Sequence, residues 1–316
     1  VDVEALRTFV AIHRSGGITR AATTLFRSQP AVSRRLTLLE KELGVALFER
    51  TAAGVVLSEA GQALLPFAET ALAALKDAED AVHAVRSQAS GPLAIALVGT
   101  LASTELTPAL RRFADEHPAV ELRLRTATSS EVSDLVRRAD VTIGLRYGSD
   151  ASPELVCDSL FGERRLMAAA ADHHLVGARL ALSDLAAERW IAFPEPPGRP
   201  EVSARFARQL YDAAGVAERD ILRVDSLTAQ KRLVEAGFGI ALLPLSGMRE
   251  ELAAGTLAVL DVTDLDVSAP VVVVTRAGGY LSTAARTLLR ELRALAGPGD
   301  AAGVAGVEPL RGDAEG

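Results

Sequence analysis

The sequence predicts a multi-domain chain, α+β at its start and α/β beyond: an N-terminal winged helix-turn-helix, a long linker helix and a C-terminal α/β domain. Three observations carry this reading. Residues 1–58 fit three helical periods and a hairpin pattern into one small module. Residues 59–90 hold a single helical period. From Gly91-Pro92 onward, short apolar runs alternate with amphipathic helices.

In the first module Val3, Leu6, Val10 and His13 recur at helical spacing with Phe9 beside them, and Ser15-Gly16-Gly17 ends that helix. Ile18, Ala21, Ala22 and Leu25 form a second, very short amphipathic helix. Ser28 offers an N-cap to a third. Pro30 sits in its first turn, where a missing N–H costs nothing, and Val32, Leu36, Leu39 and Leu43 mark its buried stripe. Three helices of this size with tight joints suggest a helix-turn-helix. Gly44 stops the third helix, and Leu47-Phe48 and Val55-Val56-Leu57 flank Thr51-Ala52-Ala53-Gly54 as a small hairpin wing.

Ser58 caps a long linker helix. Leu64, Ala68, Ala71, Leu75, Ala78, Val82 and Val85 alternate spacings of four and three, a heptad seam. A lone helix of this length with so narrow a stripe has no core of its own and is expected to pair with its copy in a second chain. A helix laid flat on its own domain is the competing arrangement. In the third region strands are expected at Leu93–Val98, Val120–Arg125, Val141–Leu145, Arg189–Phe193, Ile221–Val224, Ile240–Leu243 and Val271–Val274. Helices are expected near 104–116, 130–139, 201–214, 227–236 and 282–295. This alternation is the pattern of a parallel α/β sheet. After Gly297-Pro298 the chain is Gly, Ala and acidic residues without a period, so 297–316 reads as a disordered tail.

The 316 residues carry a net charge of −7 and are 49% hydrophobic, which suits two compact cores. No apolar run approaches the roughly 20 residues of a membrane span, and Asp2 and Glu4 stand where an export signal is basic and then apolar. A cytoplasmic location with no membrane partner is the expectation. The single cysteine, Cys157, excludes an intrachain disulfide and a cysteine-built zinc site; packing is its expected role, with oxidation of the lone thiol left open. Charge is uneven: residues 1–58 hold eight basic side chains against five acidic, about +3, leaving about −10 for the rest. Any polyanion is thus directed to the first module.

On the third helix, Gln29, Pro30, Ser33, Arg34 and Thr37 share a face about a third of a turn from the Val32, Leu36 and Leu39 stripe, so burying the stripe turns them outward. Gln suits adenine N6/N7, Arg suits guanine O6/N7, and Pro can touch a thymine methyl. A merely solvated polar face is the plainer alternative. Catalytic machinery is not visible, so no enzyme and no cofactor is expected. There is no Gly-x-Ser-x-Gly elbow and no phosphate loop, and Gly237-Phe238-Gly239-Ile240 lacks the third glycine of a dinucleotide fingerprint. His173 and His174, read on a strand, point apart as surface residues, so no metal site is expected.

One constellation goes further. Phe9-Val10-Ala11, Arg20-Ala21-Ala22, Ser28-Gln29-Pro30-Ala31-Val32-Ser33-Arg34, Leu39-Glu40, Glu42-Leu43-Gly44, Leu47-Phe48-Glu49-Arg50 and Leu57-Ser58-Glu59-Ala60-Gly61 keep one order and spacing over about 60 positions. This run resembles the DNA-binding signature of the LysR-type transcriptional regulators. Phe113 with His117-Pro118 and Val120, Asp140-Val141-Thr142-Ile143-Gly144, and Leu233 to Pro244 are similar to that family's effector domain. The likeness covers residues 1 to about 295. Two departures stand out: Thr51-Ala52-Ala53 lacks the extra basic residue often seen at the wing tip, which implies a shallow salt dependence, and Gly17 replaces the usual Ser cap.

The resemblance implies a sequence-specific regulator that binds double-stranded DNA at an inverted-repeat operator. Gln29, Pro30, Ser33 and Arg34 would contact bases, and Thr19, Arg20, Arg35 and Arg50 phosphates. It implies a homodimer through the linker helix, a homotetramer in many relatives, and contact with RNA polymerase. It also implies a bilobal, periplasmic-binding-protein-like effector domain over 91–296, with lobe I at 91–162 and 267–296 and lobe II at 163–266. A small effector, on our reading a carboxylate, would lie between the lobes, where strand-to-helix turns favour anions. Thr100, Ser103, Thr128, Ser129 and the neighbouring Ser130, Phe193, Ser226 and Thr228 are the candidate ligands, though each hydroxyl could equally be a helix cap. Arg146 could pair with a carboxylate or with a surface acid. A solute-binding protein without DNA function is the rival reading; it would lack residues 1–58 and carry an export signal.

Overall fold

The computed structural model describes residues 1–51, 54–86, 91–194 and 202–295, without the side chains of residues 50, 84–86 and 202–207. The expected tail at 297–316, the wing tip at 52–53 and most of the Pro-rich loop after Phe193 lie outside the described residues. The chain divides into two compact units, the first carried by Val1–Gln88 and the second by most of the chain from Ala89 onward.

The first unit opens with helices α1 (Val3–Ser15), α2 (Ile18–Thr24) and α3 (Gln29–Leu43). Asp2 caps α1 by accepting from the Ala5 N–H at 2.6 Å, and Gly16 ends it at a left-handed φ of 66°. Gly17 caps α2 without a side chain. Between α2 and α3 the tight turn places Phe26 at φ 53°, a left-handed value rare for a bulky residue. Ser28 stands at the N-cap of α3 with its side chain making no cap hydrogen bond, so its carbonyl alone starts the helix. Phe9, Ile12, Ala21, Val32, Leu36, Leu39 and Leu47 form the buried core, each large apolar side chain contributing about 1.5–3 kcal/mol by leaving water. The wing is the antiparallel pair β1 (Phe48–Thr51) and β2 (Gly54–Leu57).

Helix α4 (Glu59–Arg86) comes next. Ser58 caps it twice over, accepting from the Gly61 N–H at 3.1 Å and donating to the Ala46 carbonyl at 2.7 Å. Residues of the seam expected on this helix fall in two environments. Ala68 is fully buried, and Leu64, Leu65 and Leu72 pack on the first unit's own core. One face of the first turns therefore lies on its own domain, while Phe67, Leu75 and Val82 stay exposed along the helix.

The second unit holds β3 (Gly91–Leu97), a 3-10 turn at Gly99–Ser103, α5 (Leu106–Glu116), β4 (Val120–Thr126), α6 (Ser129–Arg137), β5 (Ile143–Tyr147) and β6 (Leu155–Ala170). It continues through β7 (Arg179–Leu180), β8 (Trp190–Ala192), α7 (Val202–Ala214), β9 (Ile221–Arg223), α8 (Leu227–Glu235) and β10 (Ala241–Pro244). A 3-10 turn at Leu245–Met248, α9 (Arg249–Ala254), β11 (Leu257–Val259), β12 (Asp261–Val262), β13 (Val267–Arg276) and α10 (Thr283–Arg293) complete it.

The main sheet runs β10-β6-β13-β5-β3-β4, with β11 also paired to β6. Strands β4, β3 and β5 are parallel, whereas β13, β6, β10 and β11 pair antiparallel, so the expected parallel sheet is in fact mixed. The reason is β6, a 16-residue strand that the apolar runs do not predict. Its early residues pair with β13, and its last ones pair with β10 and β11. One strand thus passes from the first lobe to the second, and β13 returns beside it. Cores lie on both faces of the first lobe, one built on Phe113, Leu288 and Leu292, the other on Val132 and Val136. The second lobe packs around Trp190, which donates to the Leu185 carbonyl at 3.1 Å and meets Tyr211 edge-on.

Gly61 is the sharpest test of packing in the first unit. A Cβ there would lie 2.1 Å from the Leu47 carbonyl oxygen, a backbone atom that cannot give way. Gly61→Ala is expected to lower stability by about 1–3 kcal/mol in thermal or denaturant unfolding, and an unchanged midpoint would refute the close packing.

Candidate DNA interface and effector cleft

Helix α3 buries Val32, Leu36 and Leu39, and that orientation exposes Gln29, Pro30 and Arg34 and leaves Ser33 half-buried. The four residues expected as base contacts therefore share the outer side of the first turns of α3. Thr37 on the same face donates its hydroxyl to the Ser33 carbonyl at 3.1 Å. Thr19 and Arg20 are exposed near the start of α2, and Arg20 reaches the Gly16 carbonyl at 3.0 Å. Arg35 stands 4.0 Å from Asp2 and 3.8 Å from Glu4, so phosphate contact there means exchanging one exposed ion pair for another. Arg50 is in the wing strand opposite Val55, and its side chain lies outside the described residues.

Several signature residues turn out to be structural. Glu40 accepts from the Leu47 N–H at 2.8 Å and so ties α3 to the wing. Gly61 lets α4 approach the Leu47 carbonyl, and Leu57 packs beneath it.

In the second unit the C-terminal ends of β3, β4 and β5 lie side by side, as Leu97 pairs with both Thr126 and Leu145. Thr100 and Ser103 come after β3; Thr128 and Ser129 come after β4. Thr100 is half-buried with its hydroxyl 2.9 Å from the Tyr147 hydroxyl. Ser129 is buried and accepts from the Tyr147 N–H at 3.4 Å. Ser103 is exposed. Thr128 caps α6: its Oγ1 accepts from the Glu131 N–H, and its own N–H donates to the Glu131 carboxylate at 2.9 Å. In the second lobe Ser226 is the N-cap of α8, accepting from the Ala229 N–H at 3.3 Å. Thr228 is exposed in the first turn of α8, and the Phe193 carbonyl accepts from Arg223 at 3.3 Å. No hydrogen bond among the described residues joins Phe193, Ser226 or Thr228 to the Thr100 group.

What joins the two lobes was not expected from sequence. The carboxylate of Glu163, on β6 and only 5% exposed, accepts from the Tyr147 hydroxyl of the first lobe and from the Ser246 hydroxyl of the second. Burial first, and then the adjacent Glu163 charge, push the Tyr147 phenol well above its usual value, so it stays a neutral donor. Arg165 lies over the Tyr147 ring, 4.7 Å from its centroid. No local signal marks these four residues, because a Glu-Arg-Arg run in a strand reads as solvated surface.

Arg146 is buried and internally paired, donating to Ser133, to the Tyr147 carbonyl at 3.2 Å and to Asp150 at 3.0 Å. Cys157 is half-buried; burial raises its thiol, and it exchanges weak hydrogen bonds with the Asp150 backbone, an environment for packing rather than nucleophilic chemistry. A shallow depression of about 430 Å³ lined by Arg208, Tyr211, Asp212, Val216, Glu218 and Arg223 lies on the second lobe. Arg223 there is already engaged with Glu218 at 2.9 Å.

His173 and His174 are not on a strand. They occupy the turn after β6, their ring centroids 4.5 Å apart, and both Nε2 atoms approach Glu188, at 3.4 and 3.2 Å. The Leu175 N–H donates to Nδ1 of His173 at 3.3 Å. A second group, Glu116, His117 and Glu291, brings an imidazole between two carboxylates with only its own side chains to form it.

A winged helix-turn-helix with a polar face on its third helix, joined to a two-lobed α/β unit with a polar cluster where the lobes meet, defines a DNA-binding regulator with a ligand-sensing domain. Residues 3–62 match the family described as bacterial regulatory helix-turn-helix protein, lysR family, and residues 86–297 match the LysR substrate binding domain. The chain belongs to the LysR family of transcriptional regulators. It is 31% identical to the HTH-type transcriptional regulator CbbR of Rhodospirillum rubrum, covering 92% of this chain and 95% of the relative. It is 29% identical to a RuBisCO operon transcriptional regulator of Allochromatium vinosum over 90% and 93% of the two chains. Among solved structures, the LysR regulator CbnR superposes with a TM-score of 0.62 at 25% identity, covering 94% of this chain and all of the other, and CbnR is also known in complex with its target DNA. These relatives are transcription regulators, not solute-binding proteins or enzymes. No helix among the described residues is long and apolar enough to cross a membrane.

Asp150 gives a pH test of the site's frame. Burial works to raise its carboxyl, but hydrogen bonds from Ser152, then Ser133 and the Arg146 charge, outweigh it and bring the pKa down from 3.8 to about 2. A folded-state pKa below the unfolded one stabilises above the unfolded value and is lost as pH falls through the folded value. Asp150→Asn is expected to flatten the loss of stability between about pH 4 and pH 2, measured by denaturant unfolding, while identical slopes would show that the carboxylate is not held.

Proposed function

We propose that Gln29, Pro30, Ser33 and Arg34 read base edges in the major groove while Thr19, Arg20, Arg35 and Arg50 contact phosphates. The observation that supports this is the orientation of α3: its buried stripe turns an exposed Gln, Pro and Arg outward on the first turns, as groove entry requires. Two copies, paired through α4, present two such helices to an inverted-repeat operator. The exposed Phe67, Leu75 and Val82 supply the pairing stripe, and a tetramer could add a second pair of half-sites. The module boundaries are then 1–58, 59–90 and 91–296. The protein acts in the cytoplasm, where chromosomal DNA and RNA polymerase are found.

We infer further that a small carboxylate effector binds where the two lobes meet, beside Thr100, Ser129, Tyr147, Glu163 and Ser246. Its binding shifts the population of lobe arrangements, and through them the spacing of paired DNA-reading domains; this requires different affinities for the two arrangements. Thr128 and Ser226 serve as helix caps in this reading, with Phe193 and Thr228 at the rim.

Arg34→Ala is expected to weaken binding to the specific operator by about 1–3 kcal/mol, roughly fivefold to 150-fold, with non-specific binding nearly retained. Operator selection from genomic fragments followed by titration at fixed salt measures both, and unchanged specific affinity would remove Arg34 from the readout. For the dimer, Leu75→Glu with Val82→Glu is expected to give monomers in sedimentation at micromolar concentration with the fold intact by circular dichroism. Dimers surviving that pair of changes would place the interface elsewhere.

A further inference from the structure

Arg165 is the unmatched charge of the interlobe cluster. It lies on β6 where that strand changes lobes, opposite both Val267 and Pro244. Its Nε is buried without a hydrogen-bond partner, and no ion pair among the described residues includes its guanidinium. Glu163, two residues earlier and so on the same face of the strand, lies nearby but forms no direct ion pair with it: its carboxylate oxygens instead accept from Tyr147 and Ser246. Half-burying a guanidinium without a direct ion pair is costly, and the Tyr147 face beneath it offsets that cost only in part. A guanidinium offers up to five N–H donors in a plane matched to a carboxylate, and here they are unspent.

We propose that Arg165 is the anion-binding residue of the interlobe site, taking a ligand carboxylate above the Tyr147 ring. Glu163 beside it then restricts the ligand to one bearing a hydroxyl or ammonium donor next to that carboxylate, a small α-hydroxy or α-amino acid. A carboxylate can accept about four hydrogen bonds and Glu163 receives two from protein, so a ligand donor has an acceptor waiting. A second negative charge on the ligand would instead face Glu163 across a short distance. The inference rests on the interlobe effector reading and specifies its chemistry.

The test uses the full chain and thermal unfolding, with lactate, mandelate, alanine and phenylalanine as probes, and acetate, benzoate, succinate and inorganic phosphate as controls. At least one of the first four is expected to raise the melting temperature of the wild type at millimolar concentration, with the controls inert. Arg165→Met keeps an unbranched apolar stem and removes the guanidinium that lies over Tyr147. It is expected to abolish that shift and to raise the ligand-free melting temperature by removing an unpaired charge. Arg165→Lys retains the charge without the planar fork and should weaken the response about tenfold. Glu163→Gln should extend the response to succinate. The proposal is overturned if no α-hydroxy or α-amino acid shifts the wild type, if controls shift it equally, or if Arg165→Met lowers the ligand-free melting temperature by several degrees. It also falls if a response survives in Arg165→Met. Loss of that surviving response in Thr100→Val with Ser246→Ala would displace Arg165 alone; survival there too would remove the interlobe site.

Discussion

Strand β6 carries the second unit. Its first residues complete the sheet of one lobe against β13, and its last three hold β11 in the other, so every strand pairing that links the lobes runs through this strand or its neighbour β13. A strand cannot change its pairing by one residue without turning each side chain to the opposite face. Sliding of one lobe along β6 and β13 would therefore expose the faces that both cores bury. Between the lobes sits Glu163, buried and tied to a hydroxyl from each lobe, which makes its carboxylate sensitive to any change in lobe separation.

A comparable constraint explains why the first unit's signature is long. Only a few of its residues stand on the outer face of α3; Glu40, Leu47, Ser58 and Gly61 spend themselves on one joint, where the wing and α4 meet the third helix. Base readout demands that α3 be held at a fixed angle, because a bidentate contact tolerates little displacement. A joint made of a backbone-to-carboxylate bond, a doubly used serine and a glycine with no room for a Cβ supplies that rigidity.

Much of this architecture is legible in the sequence. The short helices of the first module announce themselves through Gly16, Pro30 and Gly44, and the strand and helix starts of the second unit through apolar runs broken by Gly and Pro. The long strand does not, because Leu155 to Ala170 has no steady alternation. It changes partners part-way, and in its polar centre only Glu163 and Arg165 face a buried cluster that no local pattern announces, while Gly162 and Arg164 are exposed. Likewise α4 shows one heptad stripe in sequence but is only partly claimed in space. Ala68 and Leu64 are claimed by the domain core, leaving Phe67, which the stripe omits, exposed. Thr128 and Ser226 illustrate the converse: a hydroxyl after a strand fits a ligand site and a helix cap equally well, and only the folded positions of the Glu131 and Ala229 N–H groups decide between them.

Two features among the described residues are left incomplete by the single chain, the exposed stripe of α4 and the guanidinium of Arg165. A stripe holding Phe67, Leu75 and Val82 in water forgoes the apolar burial that a few polar replacements would make unnecessary. A half-buried Arg165 without a counter-ion forgoes the pairing that its better-matched neighbours in the fold enjoy: Arg146 has Asp150, and Lys231 has Glu251 at 2.6 Å. A ligand or a second chain that completes such a feature gains the free energy the isolated fold lacks, and whatever gains differentially between two arrangements shifts their populations. Glu163 and Arg165 stand two residues apart on β6, so a ligand held by Arg165 would sit beside the bonds that Glu163 makes to each lobe.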